Sequence, residues 1–222
     1  GYIFDDGFGH EVAISGFENV EGSELGDTII GSGTENWLNG WGGNDVIYGF
    51  GGDDIISGGE GDDQLRGDGS TSGLGAFGND QLYGEGGDDY LNGGRGVDYF
   101  DGGDGLDRVS FYNRSATQGA VASLVTQTIT NDGFGNAESM FSIEGLGAGT
   151  QFADQFTGDD GANFMYAGFG DTVLTLGGDD TIEVDSAALL LDGGAGIDTI
   201  QFVGDVNGML TADTNGDGLA DV

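Results

Sequence analysis

The sequence predicts an all-β fold, a right-handed parallel solenoid of the β-roll type. Two observations predict it. Aspartate recurs every nine residues over much of the chain, and a large apolar residue follows each aspartate two positions later. Glycine accounts for 50 of the 222 residues, and proline is absent. A fixed short period is typical of chains that stack small repeats. Because alternate side chains of a strand face the same way, the aspartate and the apolar residue of each repeat should both point inward.

The repeat has the form G-G-x-G-x-D-x-U-x, in which U is a large apolar residue. We number its positions from one, so that aspartate is at six and U at eight. The first block occupies residues 22–110, and the repeat at Gly67 is lengthened by an insertion at about Ser70 to Phe77. Its repeats begin at Gly22, Gly31, Gly40, Gly49, Gly58, Gly67, Gly84, Gly93 and Gly102.

A second, more degraded block is predicted over residues 149–202. It repeats features of the first block at a distance of 127 residues, as Asp27 and Asp154 illustrate. Residues 111–148 alternate in polarity and are predicted to be a β-rich connector, made of strands that continue or flank the roll. Residues 1–21 are interpreted as the end of a preceding connector, and residues 203–222 as a tail.

The residue types of the repeat indicate calcium binding. Aspartate supplies the hard, charged oxygen that Ca²⁺ prefers, and glycine allows the loop to take positive φ and bring carbonyl oxygens close to an ion. The candidate side-chain ligands are Asp27, Asn36, Asp45, Asp54, Asp63, Asp80, Asp89, Asp98, Asp107, Asp154, Asp171, Asp180 and Asp198. The candidate loop ligands are Gly40, Gly42, Gly49, Gly51, Gly58, Glu60, Gly84, Gly86, Gly93, Arg95, Gly102 and Asp104.

These repeats resemble the repeats-in-toxin (RTX), or haemolysin-type calcium-binding, family. The resemblance implies that two nonapeptides form one turn and that each ion lies between loops one turn apart. One edge would then stack Asp27, Asp45, Asp63, Asp89 and Asp107, and the other Asn36, Asp54, Asp80 and Asp98. This gives about seven calcium ions in the first block, and up to about three in the second from the pairs Asp154–Asp171, Asn163–Asp180 and Asp180–Asp198. A flexible glycine-acid linker is the alternative, but it does not explain the apolar residue after each aspartate.

Composition agrees with metal-dependent folding. The chain has 40 acidic against 4 basic residues and a formal charge of −36, so without cations it should repel itself and stay expanded. Adaptation to high salt would also explain the charge, although not the register. Cysteine is absent. Calcium can replace disulfides in an extracellular fold, and the resemblance implies type I secretion. We therefore expect a secreted or cell-surface location.

The tail contains a second calcium-like pattern. Asp213, Asn215, Asp217 and Asp221 form D-x-N-x-D-G-x-x-D, the start of an EF-hand-like loop, and the sequence ends before the twelfth position, where an EF-hand has an acidic residue. The pattern also resembles a segment near the end of serralysin-type RTX domains. An Asx-rich turn is the alternative interpretation.

The sequence gives little support to catalysis. His10 is the only histidine, no cysteine nucleophile is present, and most carboxylates are explained as calcium ligands. Four arginines are too few for a nucleic-acid surface, and no apolar run approaches the roughly 18 residues of a membrane span. The expected function is that of a noncatalytic module of a larger secreted protein. The larger protein could be an adhesin, filament or surface layer, a protease, lipase or polysaccharide-active enzyme, or a protein that binds a polymer such as alginate or ice.

Position seven of the repeat should face outward, and it places Trp37, Ile55 and Tyr99 on one face. Exposed apolar patches often mark contacts. The row could bind another copy of the chain or a sugar, or it could be covered by the connector or by a covalently linked domain.

Overall fold

The computed structural model describes residues 2–5, 16–69, 77–186 and 188–203, and over these residues every regular element is a β-strand. Almost every strand pairs in parallel with the strand two further along the chain, as the alternation of two sheets requires. The predicted parallel β-roll is confirmed. The chain divides into two compact units, which are described separately.

Unit 1 comprises Gly1–Val109 and Ser139–Ile143. One of its sheets contains, in order, β1 (Tyr2–Asp5), β3 (Thr28–Ile30), β5 (Val46–Phe50), β7 (Gln64–Asp68), β9 (Tyr90–Asn92) and β11 (Arg108–Ser110). The other contains β2 (Asn19–Ser23), β4 (Trp37–Gly42), β6 (Ile55–Glu60), β8 (Gln81–Gly86), β10 (Tyr99–Asp104) and β14 (Glu138–Phe141). The strand β1 departs from the parallel pattern, because it pairs antiparallel with β3.

Unit 2 comprises Ser110–Glu138 and Glu144–Val222. One sheet contains β15 (Gly145–Gly147), β17 (Phe164–Ala167), β19 (Thr181–Val184) and β21 (Thr199–Phe202). The other contains β13 (Thr128–Asn131), β12 (Val121–Ser123), β16 (Gln155–Thr157), β18 (Thr172–Leu174) and β20 (Leu190–Asp192).

The core of unit 1 consists of two columns of apolar side chains from position eight. Ile29, Ile47, Leu65, Leu91 and Val109 are in register in one sheet, and Leu38, Ile56, Leu82, Phe100 and Met140 in the other. All ten are at most 2% exposed. A single repeat could not bury its apolar residue in this way, so the stacking of turns itself creates the core.

The predicted connector is divided between the two units. Its strand β14 pairs in parallel with β10 in unit 1, with Phe100 opposite Met140. Its strand β12 pairs in parallel with β16 in unit 2, with Val121 opposite Gln155. The connector therefore supplies strands to both rolls. Among the described residues there is also no helix that could cross a membrane.

Candidate metal centres

Position-six side chains form a continuous hydrogen-bonded ladder along one edge of unit 1. The backbone N–H of each aspartate donates to Oδ1 of the aspartate one turn later. The donor–acceptor distances are 2.6 Å for Asp27–Asp45, 2.7 Å for Asp45–Asp63, 2.8 Å for Asp63–Asp89 and 2.9 Å for Asp89–Asp107. The structure thus places the members of each pair implied by the resemblance within one hydrogen bond of each other.

The opposite edge of unit 1 carries an equivalent ladder. The N–H groups of Asn36, Asp54 and Asp80 donate to Oδ1 of Asp54, Asp80 and Asp98, each at 2.8 Å. The inserted residues of the long repeat leave this spacing intact, although they separate Asp54 from Asp80 by 26 residues rather than 18. The insertion therefore does not interrupt the stack.

Unit 2 contains an equivalent ladder, formed by its less regular repeats. The backbone N–H groups of Asp154, Asn163 and Asp180 donate to Oδ1 of Asp171, Asp180 and Asp198, at 2.8, 2.8 and 3.1 Å. Asp154 also accepts a bond of 2.6 Å from the N–H of Ala120. Ala120 thus occupies an aspartate position in a turn without an aspartate, which the sequence analysis missed because no repeat glycine marks that turn.

The second carboxylate oxygen of the central aspartates has a different environment. Asp45, Asp54, Asp63, Asp80 and Asp89 are all about 1% exposed or less. Within the part of the chain that the structure describes, Oδ2 of each is buried and accepts no hydrogen bond. A buried charged oxygen without a donor is strongly unfavourable. These five atoms therefore need either a proton or a cation.

The pKa values of these carboxyl groups reflect the same environment. Burial raises the pKa of Asp45 to about 6, of Asp54, Asp63 and Asp89 to about 7, and of Asp80 to about 9. Neighbouring acidic groups raise each of them further, whereas the backbone hydrogen bond of the ladder lowers them. Desolvation thus outweighs the single N–H donor.

The first glycine of a repeat packs directly against this carboxylate. A β-carbon on Gly49 would overlap Oδ2 of Asp54 and lie 2.7 Å from the carbonyl oxygen of Gly67, which belongs to the next turn. Gly67 has the same relation to Asp80 and to the carbonyl of Gly93, at 2.6 Å. Carboxylate and carbonyl oxygens therefore converge where only glycine fits, and oxygen donors of this kind suit Ca²⁺.

The third-position residues Glu60, Gly86 and Asp104 form backbone hydrogen bonds between turns, whereas the first-position glycines lie against a carboxylate. The carbonyl oxygens of Glu60, Gly86 and Asp104 accept backbone hydrogen bonds of 2.6–2.9 Å from the fourth-position glycine one turn earlier. Gly42 and Gly51 are the third-position glycines of the two repeats before Glu60. The backbone N–H of Arg95 donates to Oδ2 of Asp68 at 2.7 Å. At each of the remaining first-position candidates, an added β-carbon would overlap the aspartate of the same repeat. The pairs are Gly40 with Asp45, Gly58 with Asp63, Gly84 with Asp89, Gly93 with Asp98 and Gly102 with Asp107.

The donor set resembles neither a zinc site nor an all-carboxylate site. Among the described residues, no group of three histidine, cysteine, aspartate or glutamate side chains converges on one point. An ion between two loops would therefore take most of its oxygens from backbone carbonyls, together with the carboxylates of the ladder. Such a mixed oxygen shell is typical of calcium.

Asp68 is a further carboxylate that the repeat pattern did not single out. It occupies position two of the long repeat, where Oδ1 is buried without a hydrogen-bond donor among the described residues. Burial raises its pKa to about 6. An aspartate at a glycine position was the available signal. The tail residues Asp213, Asn215, Asp217 and Asp221 lie outside the described residues.

Comparison with known proteins agrees with this geometry. A family model described as the RTX calcium-binding nonapeptide repeat matches four segments, residues 21–49, 48–71, 74–109 and 148–174. Together they cover about half of the chain. No curated protein matches the chain.

Proposed function

Because the chain belongs to the family of RTX calcium-binding nonapeptide repeats, we propose that it is an extracellular, noncatalytic module whose folding is driven by calcium. RTX nonapeptide repeats bind Ca²⁺, so a calcium-binding module is established by the family. The proposal adds the consequence of binding, the location outside the cell after type I secretion, and membership of a larger secreted protein.

One observation carries the proposal. The Oδ2 atoms of Asp45, Asp54, Asp63, Asp80 and Asp89 are buried without a hydrogen-bond donor in the described part of the chain. If these groups are ionised at neutral pH, the folded state buries several negative charges side by side. Cations between the loops would neutralise them, so the free energy of ion binding becomes free energy of folding.

The remaining charge leads to the same conclusion. With a formal charge of −36, the ion-free chain repels itself at neutral pH. In the low calcium of a cytoplasm the chain would stay unfolded and could be exported. Millimolar calcium outside the cell would then fold it, since this concentration suits weak extracellular sites. One ion per pair of stacked loops gives an upper bound of about seven ions in the first block and three in the second.

Circular dichroism in chelator and in millimolar calcium tests the proposal at pH 7.5. We expect a mostly disordered spectrum in chelator and a cooperative change to β-structure on addition of calcium. Magnesium at equal concentration is the control for ionic strength. An unchanged β-spectrum in chelator would show that folding does not depend on the ion.

A structural role in an adhesin, filament or surface layer is the second candidate, and exposed aromatic side chains favour it. In unit 1 the ring of Tyr99 lies 5.7 Å from that of Tyr83 and 5.6 Å from that of Phe141. Phe141 is 51% exposed and Trp41 is 52% exposed on the outside of the same sheet. If this face associates with another copy, light scattering in calcium should detect assemblies larger than a monomer.

A further inference from the structure

Most of the described loops of this chain fall into two structural classes, and the interrupted loop of the repeat at Gly67, which ends at Asp80, belongs to neither. In the first, which we call closed loops, the backbone N–H at position two donates to the side chain at position six of the same repeat. The bonds are Ser23–Asp27 at 2.6 Å, Ser32–Asn36 at 2.6 Å, Thr150–Asp154 at 2.8 Å and Asp159–Asn163 at 2.8 Å. The shortened loop before Asp171 is closed similarly, by the N–H of Gly168 at 2.6 Å.

In the second class, the open loops, positions two and four both have positive φ. The pairs are Trp41 and Gly43, Phe50 and Gly52, Gly59 and Gly61, Glu85 and Gly87, Gly94 and Gly96, Gly103 and Gly105, Leu176 and Gly178, and Gly194 and Gly196. Several of the position-two residues are not glycine, so the left-handed conformation at this position is imposed by the loop. The four closed loops of the first two repeats in each block have no positive φ at positions two and four.

The two classes differ in the hydrogen-bond donors that the side chain at position six finds. Asp154, in a closed loop, accepts three bonds, from the N–H of Ala120, the N–H of Thr150 and the hydroxyl of Thr150, at 2.6–2.8 Å. In the described part of the chain, Oδ2 of Asp63 in an open loop accepts none. Two of the closed loops carry asparagine, which brings no charge at all. Closed loops therefore have their own donors, and open loops need a cation.

The closed loops are also placed regularly. In the first block they belong to the repeats at Gly22 and Gly31, and in the second to those at Gly149 and Gly158, in each case the first two repeats of a block. Two repeats make one turn, because each ladder bond joins residues about 18 apart. Each block thus begins with one complete turn of closed loops.

We propose, on the basis of the proposed function, that the position-six side chains of these closed loops are not calcium ligands and that each block begins with an ion-independent turn. The first open loops of unit 1, which end at Asp45 and Asp54, then mark where calcium binding begins. The starting turn presents N–H groups to Oδ1 of both residues, at 2.6 and 2.8 Å, without requiring an ion itself. It would give the calcium-dependent turns a template on which to stack.

A matched pair of substitutions tests this inference. Asp27→Asn changes a closed loop and Asp63→Asn an open one. Both residues are at most 3% exposed, and both belong to the same ladder. Asparagine retains an oxygen acceptor and removes the charge. Equilibrium dialysis at pH 7.5 would count the bound calcium, and circular dichroism would confirm that each variant folds in excess calcium.

We expect Asp27→Asn to bind as many ions as the parent chain and Asp63→Asn to bind at least one fewer. Asn36→Asp, which adds a carboxylate to a closed loop, should not add an ion. Loss of an ion from Asp27→Asn, gain of one by Asn36→Asp, or an unchanged count for Asp63→Asn would overturn the inference. If Asp63→Asn does not fold, the count for Asp27→Asn alone decides. A parent chain that binds no calcium would instead refute the proposed function.

Discussion

Replacing one glycine in an open loop should separate a steric requirement from a conformational one. Gly84 and Gly86 lie two residues apart in the same loop, and neither has the positive φ that favours glycine. A β-carbon on Gly84 would overlap Oδ2 of Asp89 and the carbonyl oxygen of Gly102. The nearest atoms to a β-carbon on Gly86 would be those of the carboxylate of Glu60, at 3.3 Å or more. Gly86→Ala is therefore the matched control for Gly84→Ala.

The expected magnitudes follow from these contacts. Both obstacles at Gly84 are rigid, because Asp89 is fully buried and the carbonyl belongs to the backbone. Overpacking of this kind typically costs about 1–3 kcal/mol. The side chain of Glu60 is exposed and can move, so Gly86→Ala should change stability by less than about 1 kcal/mol in either direction. Since about 1.4 kcal/mol is a factor of ten in an equilibrium constant, Gly84→Ala should also weaken the local calcium site several-fold or more.

Thermal melts in excess calcium and calcium titrations followed by circular dichroism would measure both effects. We expect a lower melting temperature and a higher calcium midpoint for Gly84→Ala, and values close to the parent for Gly86→Ala. Equal effects of the two substitutions would refute the reasoning, because they would show that the contact of Gly84 with the carboxylate is not what requires glycine.

Four further predictions follow from the ladder and the outer face. Asp63→Ala should weaken two calcium sites and Asp107→Ala one, because Asp63 has a ladder neighbour on both sides; equal losses in calcium titrations would contradict the pairing. Magnesium should fold the chain poorly, because it demands a smaller octahedral shell; a circular dichroism midpoint equal to that of calcium would contradict this. Without calcium, acid should favour the fold, because burial raises the pKa of Asp54, Asp63 and Asp89 to about 7 and of Asp80 to about 9. The protonated carboxyl groups stabilise the fold fully below the unfolded pKa of 3.8, and this stabilisation is lost as the pH rises through 7 to 9. Circular dichroism in calcium-free buffer at pH 3.5 and pH 9 measures it, and a chain equally unfolded at both would refute it. If the outer face binds another copy of the chain, serine in place of Trp37, Ile55 and Tyr99 should abolish calcium-dependent assembly without loss of folding. If the face is covered within the monomer, the same substitutions should lower monomer stability. Light scattering and thermal melts distinguish the two interpretations, and no change in either measurement would eliminate both interpretations.

The stacked pairs could be predicted from the nine-residue period together with the resemblance to the RTX family. The resemblance implies that two repeats make a turn, so Asp27 was expected beside Asp45, and the alternation of side chains along a strand placed the apolar residue two positions later in the core. The same arithmetic was less successful for the outer face. Gln81 lies between Ile55 and Tyr99 in the sheet, and it breaks the apolar row that was expected there. The long repeat places it at position seven, where the apolar pattern is not required.

The difference between open and closed loops could not be predicted from the repeat alone. Ser23 and Thr150 appear as simple departures from glycine at position two, and such departures suggest decay of the motif. Their effect on the loop depends on the sign of φ at position two. Trp41 and Phe50 also replace glycine at this position, yet their φ is positive, whereas that of Ser23 and Thr150 is not. A side chain at position two is thus compatible with both classes. Position four is glycine in every open loop, but Gly161 is also glycine in a closed one, so neither position by itself predicts the class.

The two oxygens of an open-loop aspartate therefore have separable functions. Oδ1 of Asp63 accepts the N–H of Asp45 and fixes the register of adjacent turns. Oδ2 lies against the first glycine of the repeat and has no donor among the described residues. An amide could replace the first function but not the second, because an NH₂ group there would face the site where a cation is needed. Asparagine occurs at position six in two closed loops, where a backbone N–H already compensates the side chain. We therefore expect the dependence of folding on calcium to lie in the open loops.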